Sequence, residues 1–291
     1  MQQVTVRVPA STSNLGPGFD CLGVALRIYN TVTLRRGGSA PENAMMREAA
    51  ELFFERSDCR AFPFSATIAG DVPISRGLGS SVTVRLGLMH GLNALASGPL
   101  HRREIFQLCA ELEGHPDNAA PAEFGGFNVA RATMRQRFSV SAMLKFVLLI
   151  PDFEVRTEEA RALLPARVSR EDAVESCANA CTITAAFASS RYESLRHAFR
   201  DHLHQPFRKK LVPFFDEVVT AAEEAGALGA FLSGSGSTIA AVTLISADAV
   251  AQAMQAAAGD VPTQTIVTAT DNQGALLLQT RRPPFERRIR K

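Results

Sequence analysis

The sequence predicts an α+β protein of two domains, and three observations lead to that expectation. The 291 residues are enough for one large domain or two ordinary ones. Short runs of alternating apolar residues are typical of strands, and longer runs with helical spacing lie between them. Hydrophobic residues make up 46% of the chain and charged residues 21%, so a core can form without disulfides. We expect residues 1–150 to form an N-terminal domain and residues 151–291 a C-terminal one, with the boundary near Pro151.

The elements of the first half follow from the period of the apolar residues. Period two predicts strands, and a period near 3.6 predicts helices, as where Ile105, Leu108 and Leu112 share one stripe. The predicted strands are residues 3–9, 28–35, 62–69, 126–131 and 144–150, and the predicted helices are residues 43–56, 81–96 and 102–112.

The second half has a pattern of its own. Helices are predicted at residues 170–189, 191–201, 213–225 and 247–257, and strands at residues 228–232, 238–245, 263–269 and 274–279. Gly226 ends the third of these helices. Because strands and a helix follow one another closely at the end of the chain, we expect a second α+β layer there.

Composition and charge exclude several classes of protein. No apolar run approaches the ~20 residues that cross a bilayer, and the first residues alternate like a strand and lack the pattern of a signal peptide. The five cysteines are scattered, which argues for reduced thiols. A basic tail at residues 281–291 carries +5, which leaves −3 for the rest of a chain whose net charge is +2. We therefore expect a cytoplasmic protein that binds neither membranes nor nucleic acid.

A glycine-rich loop lies between a predicted strand and a predicted helix at residues 73–81, Pro-Ile-Ser-Arg-Gly-Leu-Gly-Ser-Ser. Glycine allows a ligand to approach the backbone closely, and the start of a helix offers unpaired N–H groups and a partial positive charge. This combination suits phosphate, although the loop lacks the lysine of a Walker A motif. An ordinary turn with a serine N-cap is the alternative interpretation.

Three further segments concentrate small or polar residues. Residues 233–238 place glycines and hydroxyl side chains between two apolar strands, where a flexible hairpin turn is the simpler interpretation. Residues 111–118, Glu-Leu-Glu-Gly-His-Pro-Asp-Asn, gather acidic, imidazole and amide groups at a helix end, where a solvated helix face and a cap are the alternative. Residues 9–20 form a long segment of Gly, Pro and Asn directly after the first strand, which is costly to order unless it has a function.

Together these four segments resemble the motifs of the GHMP kinase superfamily, and within it those of the homoserine kinase family. The phosphate-loop pattern P-x-x-x-G-L-G-S-S is met at residues 73–81, and the C-terminal glycine motif at residues 233–238. The segments 9–20 and 113–118 are the ones more specific to homoserine kinases. The resemblance implies a ribosomal-S5-domain-2-like N-terminal domain and a ferredoxin-like C-terminal domain. It also implies ATP-dependent phosphorylation of the L-homoserine hydroxyl with Mg²⁺, a step toward threonine, commonly in a homodimer.

The resemblance assigns nucleotide and metal roles to particular residues. Backbone N–H groups of the glycine-rich loop would hold phosphates, and Asn43 would lie near the adenosine. The metal ligands would be Ser81 and a glutamate, with Glu111 preferred and Glu113 as the alternative. The implied nucleotide-binding residues are Asn43, Pro73, Arg76, Gly77, Leu78, Gly79, Ser80, Ser81, Gly234, Ser235 and Gly236.

The resemblance also implies a pocket for an amino acid. The carboxylate of such a substrate requires an arginine, and its ammonium group requires carboxylate or amide oxygens. Arg208 matches the family's substrate-contacting arginine, and the other matched pocket positions are Asn14, Asp20, His115, Asp117 and Asn118. The catalytic candidates are Asp117, Asn118 and Arg208. Asp117 or Asn118 would orient the hydroxyl, and whether Asp117 acts as a general base stays open.

Two other functions remain as alternatives. The first is a kinase of the same superfamily that acts on a different alcohol, but an apolar, mevalonate-like acceptor would not require an amino-acid pocket. The second is a binding protein that has lost catalysis, against which the retained Ser81, Glu111, Asp117 and Arg208 argue.

Overall fold

The structure is a computed structural model, and it describes residues 2–39, 41, 43–131 and 134–281. Across these residues the strands are β1 (Gln3–Ser13), β2 (Leu22–Arg36), β3 (Phe64–Gly70), β4 (Phe127–Arg131), β5 (Met134–Phe138), β6 (Lys145–Pro151), β7 (Gly229–Leu232), β8 (Ile239–Thr243), β9 (Thr263–Ala269) and β10 (Leu276–Arg281). The helices are α1 (Ala44–Arg56), α2 (Ser80–Leu95), α3 (Arg102–Glu113), α4 (Ala119–Phe124), α5 (Thr157–Ala162), α6 (Arg170–Ser189), α7 (Gln205–Arg208), α8 (Phe215–Glu224) and α9 (Ala247–Ala257). Beyond Arg281 the expected basic tail lies outside the described residues.

Two antiparallel sheets organise the described part of the chain. The first has six strands, in the order β10-β1-β2-β4-β5 with β3 paired to β2. The second has four strands, in the order β7-β8-β6-β9. Helices and strands are mixed in both halves, so the expected α+β class is confirmed.

The core joins the two layers. Helices α1–α4 pack as a group on the first sheet, and α2 lies directly on β1 and β2. This close approach explains Gly87 of α2, where a Cβ would lie 2.4 Å from Val32 Cγ2. Phe127 of β4 stacks on Phe187 of α6 with ring centroids 4.2 Å apart, so the two layers share buried aromatic packing.

The second sheet includes β6, which was predicted at residues 144–150 and precedes the expected boundary near Pro151. Strands β6 to β9 and their helices follow the β-α-β-β-α-β connection of a ferredoxin-like unit, and that unit starts at β6. A division after residue 150 cuts this strand. Strand β6 takes a central position in the second sheet, between β8 and β9, because its apolar residues are buried along nearly its whole length.

The last strand also departs from the expected second layer. Strand β10 returns to the first sheet and pairs with β1, so that Val6 lies opposite Leu277. The sheets therefore exchange strands across the expected boundary in both directions. The division into residues 1–150 and 151–291 stays a prediction.

One predicted helix does not form. Residues 191–201 contain only a short 3₁₀ helix at Tyr192–Leu195, followed by turns. His197 adopts a φ of 63°, a left-handed conformation that interrupts a helix. Helices α4, α5 and α7 were not predicted, because four to six residues are too few to establish a helical period. Strand β5 was not predicted either, and its central residues Arg-Gln-Arg are all polar. Among the described residues, none of the helices has the length and hydropathy that a bilayer span requires.

Candidate active site

A cleft of about 950 Å³ brings together residues from all four sequence segments. Its walls come from the β1–β2 loop, the start of α2, the α3–α4 loop, helices α5 and α7, and the β7–β8 loop. The predicted site residues that line it are Asn14, Asp20, Asn43, Arg76, Gly77, Leu78, Gly79, Ser80, Ser81, His115, Asp117, Asn118, Arg208, Gly234 and Ser235. Pro73, Glu111 and Gly236 do not line it.

The start of helix α2 forms the anion-binding part of the cleft. Among the described residues no side chain caps this helix, whereas Asn43 caps α1 by accepting hydrogen bonds from the N–H groups of Met45 and Met46. The unpaired N–H groups of the first turn of α2 are therefore available to a ligand. Gly79, the residue before Ser80, has a φ of 67°, which favours glycine. A Cβ there would lie 2.4 Å from Ser11 Oγ, so the protein's own packing also requires this glycine.

Three hydroxyl residues at the end of β1 connect the loops that form the cleft. Ser11 Oγ donates to Asn118 Oδ1 at 2.9 Å, and Asn118 Nδ2 donates to Ser13 Oγ at 2.9 Å. Thr12 shares a hydrogen bond of 2.8 Å with Ser233 in the β7–β8 loop. All three hydroxyl side chains are fully buried. The motif at residues 9–20 contained them, but nothing in the sequence distinguished them from strand residues that contact only their neighbours.

The carboxylate beside Ser81 is Glu113, the alternative candidate, whereas the preferred candidate Glu111 does not line the cleft. Which of the two glutamates holds a metal stays a prediction. Ser81 Oγ donates to Glu113 Oε2 at 3.0 Å, and Arg85 donates to Glu113 Oε1 at 2.5 Å. Glu111 instead pairs with Arg56 at 2.8 Å and is half exposed outside the cleft. Two positions along a helix correspond to a rotation of about 200°, so the two glutamates point to opposite sides of α3.

His115 and Asp117 form a hydrogen-bonded pair at the floor of the cleft. Burial raises the pKa of Asp117, but the hydrogen bond and charge of His115 outweigh it and lower the pKa below its usual value. Burial lowers the pKa of His115, and Asp117 outweighs that effect and raises it. Both shifts therefore favour the ionic form of the pair. Ligand atoms of Asp20, His115 and Asp117 all lie within 4.8 Å of one another, which forms a compact polar cluster.

Arg161 of α5 is a residue that the sequence reasoning missed. Its guanidinium contacts both carboxylate oxygens of Asp20, at 2.7 and 3.1 Å. It also lies over the ring of Phe19, 5.5 Å from its centroid. The surrounding residues 157–162, Thr-Glu-Glu-Ala-Arg-Ala, resemble any solvent-exposed helix, so no sequence signal identified it.

Arg208 is a buried cation without an ionic partner. Its residue surface is 2% exposed, and among the described residues no carboxylate comes within 4.0 Å of its guanidinium. Its NH1 donates to the carbonyl of Gly234 at 3.2 Å, and its guanidinium lies 5.1 Å from the ring centroid of Phe19. Burial, with the positive charge of Arg161, lowers the pKa of Arg208 to about 10. Such a group favours an anionic ligand.

Two other predicted residues are partly engaged within the protein. Asn14 Oδ1 accepts from the N–H of Asp20 at 3.0 Å, and Asn14 Nδ2 donates to the carbonyl of Gly234 at 2.9 Å. Arg76 lines the cleft, but its Nε donates to the carbonyl of Pro151 at 2.9 Å and its guanidinium lies 3.5 Å from Asp152. Both residues therefore hold loops in place, and Asn14 retains one N–H for a ligand.

The arrangement joins two kinds of binding site in one cleft. The start of α2 suits phosphate groups, and the part of the cleft lined by Asp20, Asp117 and Arg208 offers a buried cation and two carboxylates. A cation and carboxylates in one small pocket are complementary to a zwitterion. The geometry can therefore bring a phosphorylated ligand and an amino acid together.

Comparison with known proteins matches the chain to one superfamily. The family model described as GHMP kinases N terminal domain matches residues 44–126, and the one described as GHMP kinases C terminal matches residues 183–260. A homoserine kinase of Caldicellulosiruptor bescii is 40% identical over 81% of this chain and 83% of the relative. A homoserine kinase of Clostridium botulinum is 36% identical over 82% of this chain and 86% of the relative.

Solved structures agree with these sequence matches. The crystal structure of a homoserine kinase from Cytophaga hutchinsonii is 26% identical and has a TM-score of 0.87, covering 96% of this chain and 98% of that one. A mevalonate kinase of Methanococcus jannaschii, 14% identical with a TM-score of 0.70 over 92% of this chain and 98% of that one, has the same fold. The expected two-domain GHMP kinase fold is thereby confirmed. The chain belongs to the homoserine kinase family of the GHMP kinases.

Proposed function

We propose that this protein transfers the terminal phosphoryl group of ATP to the side-chain hydroxyl of L-homoserine, which yields O-phospho-L-homoserine and ADP. One observation carries the proposal: the uncapped start of α2 and the buried, unpaired Arg208 line the same cleft. The first suits the phosphates of a nucleotide, and the second suits the carboxylate of an amino acid. The relatives' name, homoserine kinase, supports the choice of amino acid.

The part of the cleft lined by Asp20, Asp117 and Arg208 would receive both charged ends of the substrate. Arg208 would bind the carboxylate, because a buried guanidinium without an ionic partner gains most from an anion. Arg161 donates to both carboxylate oxygens of Asp20, so that Asp20 is held in place for the substrate ammonium group. The remaining N–H of Asn14 and the polar atoms of Asn118 complete the wall.

The nucleotide side of the cleft offers what a phosphate chain and a hard cation require. Backbone N–H groups of residues 77–81 would bind phosphate oxygens, and Asn43 and Arg76 line the wall that extends from them. Ser81 and Glu113 supply two oxygen ligands of the kind that Mg²⁺ prefers, and their oxygens lie 3.0 Å apart. Bound Mg²⁺ would neutralise phosphate charge during transfer.

Asp117 is better suited to orient the hydroxyl than to remove its proton. His115 lowers the pKa of Asp117, so this carboxylate is a weak base at neutral pH. Phosphoryl transfer passes through a loose transition state, in which the attacking hydroxyl requires little proton removal. Asp117 would therefore act by accepting the hydroxyl's hydrogen bond, and the His115 contact keeps its carboxylate ionised and in place.

An ADP-release assay tests the proposed reaction. The protein is incubated with ATP, Mg²⁺ and one of homoserine, serine, threonine, mevalonate or shikimate. We expect the largest kcat/KM with L-homoserine. Turnover of mevalonate or shikimate in preference to homoserine would establish a different acceptor. Binding of homoserine and ATP by calorimetry without any turnover would establish a protein that has lost catalysis.

Three further proposals rest on the family resemblance. We propose a homodimer, which light scattering after size exclusion tests, with a monomer at micromolar concentration as the contrary result. We propose a cytoplasmic location, which fractionation of the native cell tests. We also propose that the product enters threonine synthesis, in which case loss of the gene produces a requirement for threonine.

A further inference from the structure

The site contains a cation that neither the motifs nor the proposed reaction uses. Arg85 lies on α2 one helical turn after Ser81, so both side chains face the same wall of the cleft. Its NH1 donates to Glu113 Oε1 at 2.5 Å and to the carbonyl of Leu112 at 3.1 Å, and its NH2 donates to Glu48 at 3.0 Å. The Arg85 side chain is 12% exposed, and that of Glu113 is 11% exposed. This ion pair is therefore largely shielded from water.

Glu113 thereby has two roles that oppose each other. Its Oε2 accepts from Ser81 and is the oxygen that best suits a cation, while its Oε1 is already neutralised by Arg85. A carboxylate that is paired with a guanidinium attracts a divalent cation less strongly than a free one. The same guanidinium adds positive charge to the wall of the cleft just after the phosphate loop ends. Among the described residues its Nε is buried without a hydrogen-bond partner, so its bonding capacity is not exhausted.

We propose that Arg85 is a positioning residue that adjusts how strongly nucleotide binding depends on the metal. This inference rests on the proposed function, because it assumes that a nucleotide binds at α2. Arg85 supports phosphate binding in the absence of a divalent cation, because it cancels the charge of Glu113 and adds its own. It also competes with a divalent cation for the Glu113 carboxylate. The pairing makes the nucleotide site less dependent on Mg²⁺ than Ser81 and Glu113 alone would make it.

Removal of Arg85 then has two effects of opposite sign. Without the guanidinium, Glu113 becomes an unpaired negative charge next to the phosphate loop, so metal-free nucleotide binds more weakly. The same free carboxylate binds Mg²⁺ more strongly, so less Mg²⁺ restores nucleotide binding. At an effective dielectric constant of about 20, a unit charge about 12 Å from the phosphates changes the affinity for the nucleotide by about tenfold. If Arg85 only bridged α2 and α3, its removal would weaken metal-free nucleotide binding and Mg²⁺ binding together.

The experiment measures ADP binding to the full chain by calorimetry, first in EDTA and then across a Mg²⁺ titration. For Arg85→Met we expect the Kd for ADP in EDTA to rise about tenfold, and the Mg²⁺ concentration at the midpoint of the enhancement to fall severalfold. Arg85→Lys keeps the charge and is expected to stay closer to the wild type in both measurements. Arg56→Met is the matched control, because it removes the ion-pair partner of Glu111. Glu111 lies on α3, as Glu113 does, but outside the cleft.

Thermal unfolding accompanies each variant, and Glu113→Gln provides a second route if Arg85→Met folds poorly. With Glu113 neutral and Arg85 retained, ADP binding in EDTA is expected to equal or exceed that of the wild type, and the Mg²⁺ enhancement is expected to shrink. Parallel weakening of both kinds of binding in Arg85→Met, or no change in either, overturns the proposed role of Arg85 alone. Failure of the wild-type protein to bind ADP under any condition overturns the proposed function as well.

Discussion

Replacement of Arg208 by methionine tests whether this residue binds the substrate carboxylate. Methionine keeps much of the apolar stem but removes the charge and the donors. The magnitude follows from the burial of the guanidinium, which lowers the pKa of Arg208 from 12.5 to about 10. One pKa unit corresponds to about 1.4 kcal/mol, so the charge is less favourable in this pocket than in water by about 3 kcal/mol. The substrate carboxylate offsets that penalty when it binds. Loss of the guanidinium in Arg208→Met is expected to raise KM for homoserine by about 100-fold.

Steady-state kinetics with two acceptors separate this effect from general damage. KM for ATP is expected to change little in Arg208→Met, because the lost contact belongs to the amino acid. Homoserine amide, which lacks the carboxylate, is expected to be a poor substrate of the wild type and scarcely worse for the variant. Arg208→Lys is expected to recover part of the loss, since a point charge does not reproduce the planar fork of a guanidinium.

A different pattern would refute the assignment. If Arg208→Met impairs homoserine and its amide equally, the arginine does not read the carboxylate. If it lowers kcat alone, the arginine acts on the transferring phosphoryl group, as arginine fingers do. In either case Arg161 becomes the residue to test for binding of the substrate carboxylate, because it is the other guanidinium that lies over the Phe19 ring.

Two further variants test the glycine loop and the ionic pair. Gly79→Ala is expected to weaken ADP binding at least about tenfold, because residue 79 has a left-handed φ of 67° and an added Cβ would clash with Ser11. Gly98→Ala is the control, because residue 98 has a φ of 77° and open space around an added Cβ. Equal effects of the two variants on ADP binding in calorimetry would refute the reasoning. Burial lowers the pKa of His115, but Asp117 raises it by more. The contribution of this pair to the free energy of unfolding is therefore complete below pH 6.5, and it is lost as the pH rises through the raised pKa. Urea unfolding at pH about 6 and about 9 is expected to show a larger decline in the wild type than in Asp117→Asn, and identical declines would exclude the pair as the cause.

The sequence was most informative where function depends on residues that are close together in the chain. The loop at residues 73–81 was recognised because glycines and a helix start are adjacent in sequence, and the structure places them in the cleft. Arg161 was missed because its partner Asp20 belongs to a different half of the chain. The choice between Glu111 and Glu113 depended on the rotational phase of α3, which a spacing uncertain by two residues does not determine.

The same limit applies to the fold. Helix α6 lies at residues 170–189, the range predicted for it, and Ser169 caps its start by accepting a hydrogen bond from the N–H of Asp172. The helix expected at residues 191–201 has apolar residues at helical spacing, with Tyr192, Leu195 and Phe199 buried, but the left-handed backbone at His197 redirects the chain. Strand β10 was located within two residues, yet its alternation contained no information about which sheet it joins.

The return of β10 to β1 has a consequence for synthesis on the ribosome. Val6 of β1 pairs with Leu277 of β10. The edge of β1 therefore stays uncovered during synthesis until β10 has left the exit tunnel. Until then β1 presents unpaired backbone groups, which are available to wrong partners. Contacts between residues so far apart in sequence also slow folding. A fragment that ends after β9 would therefore leave the first sheet with an open edge at β1.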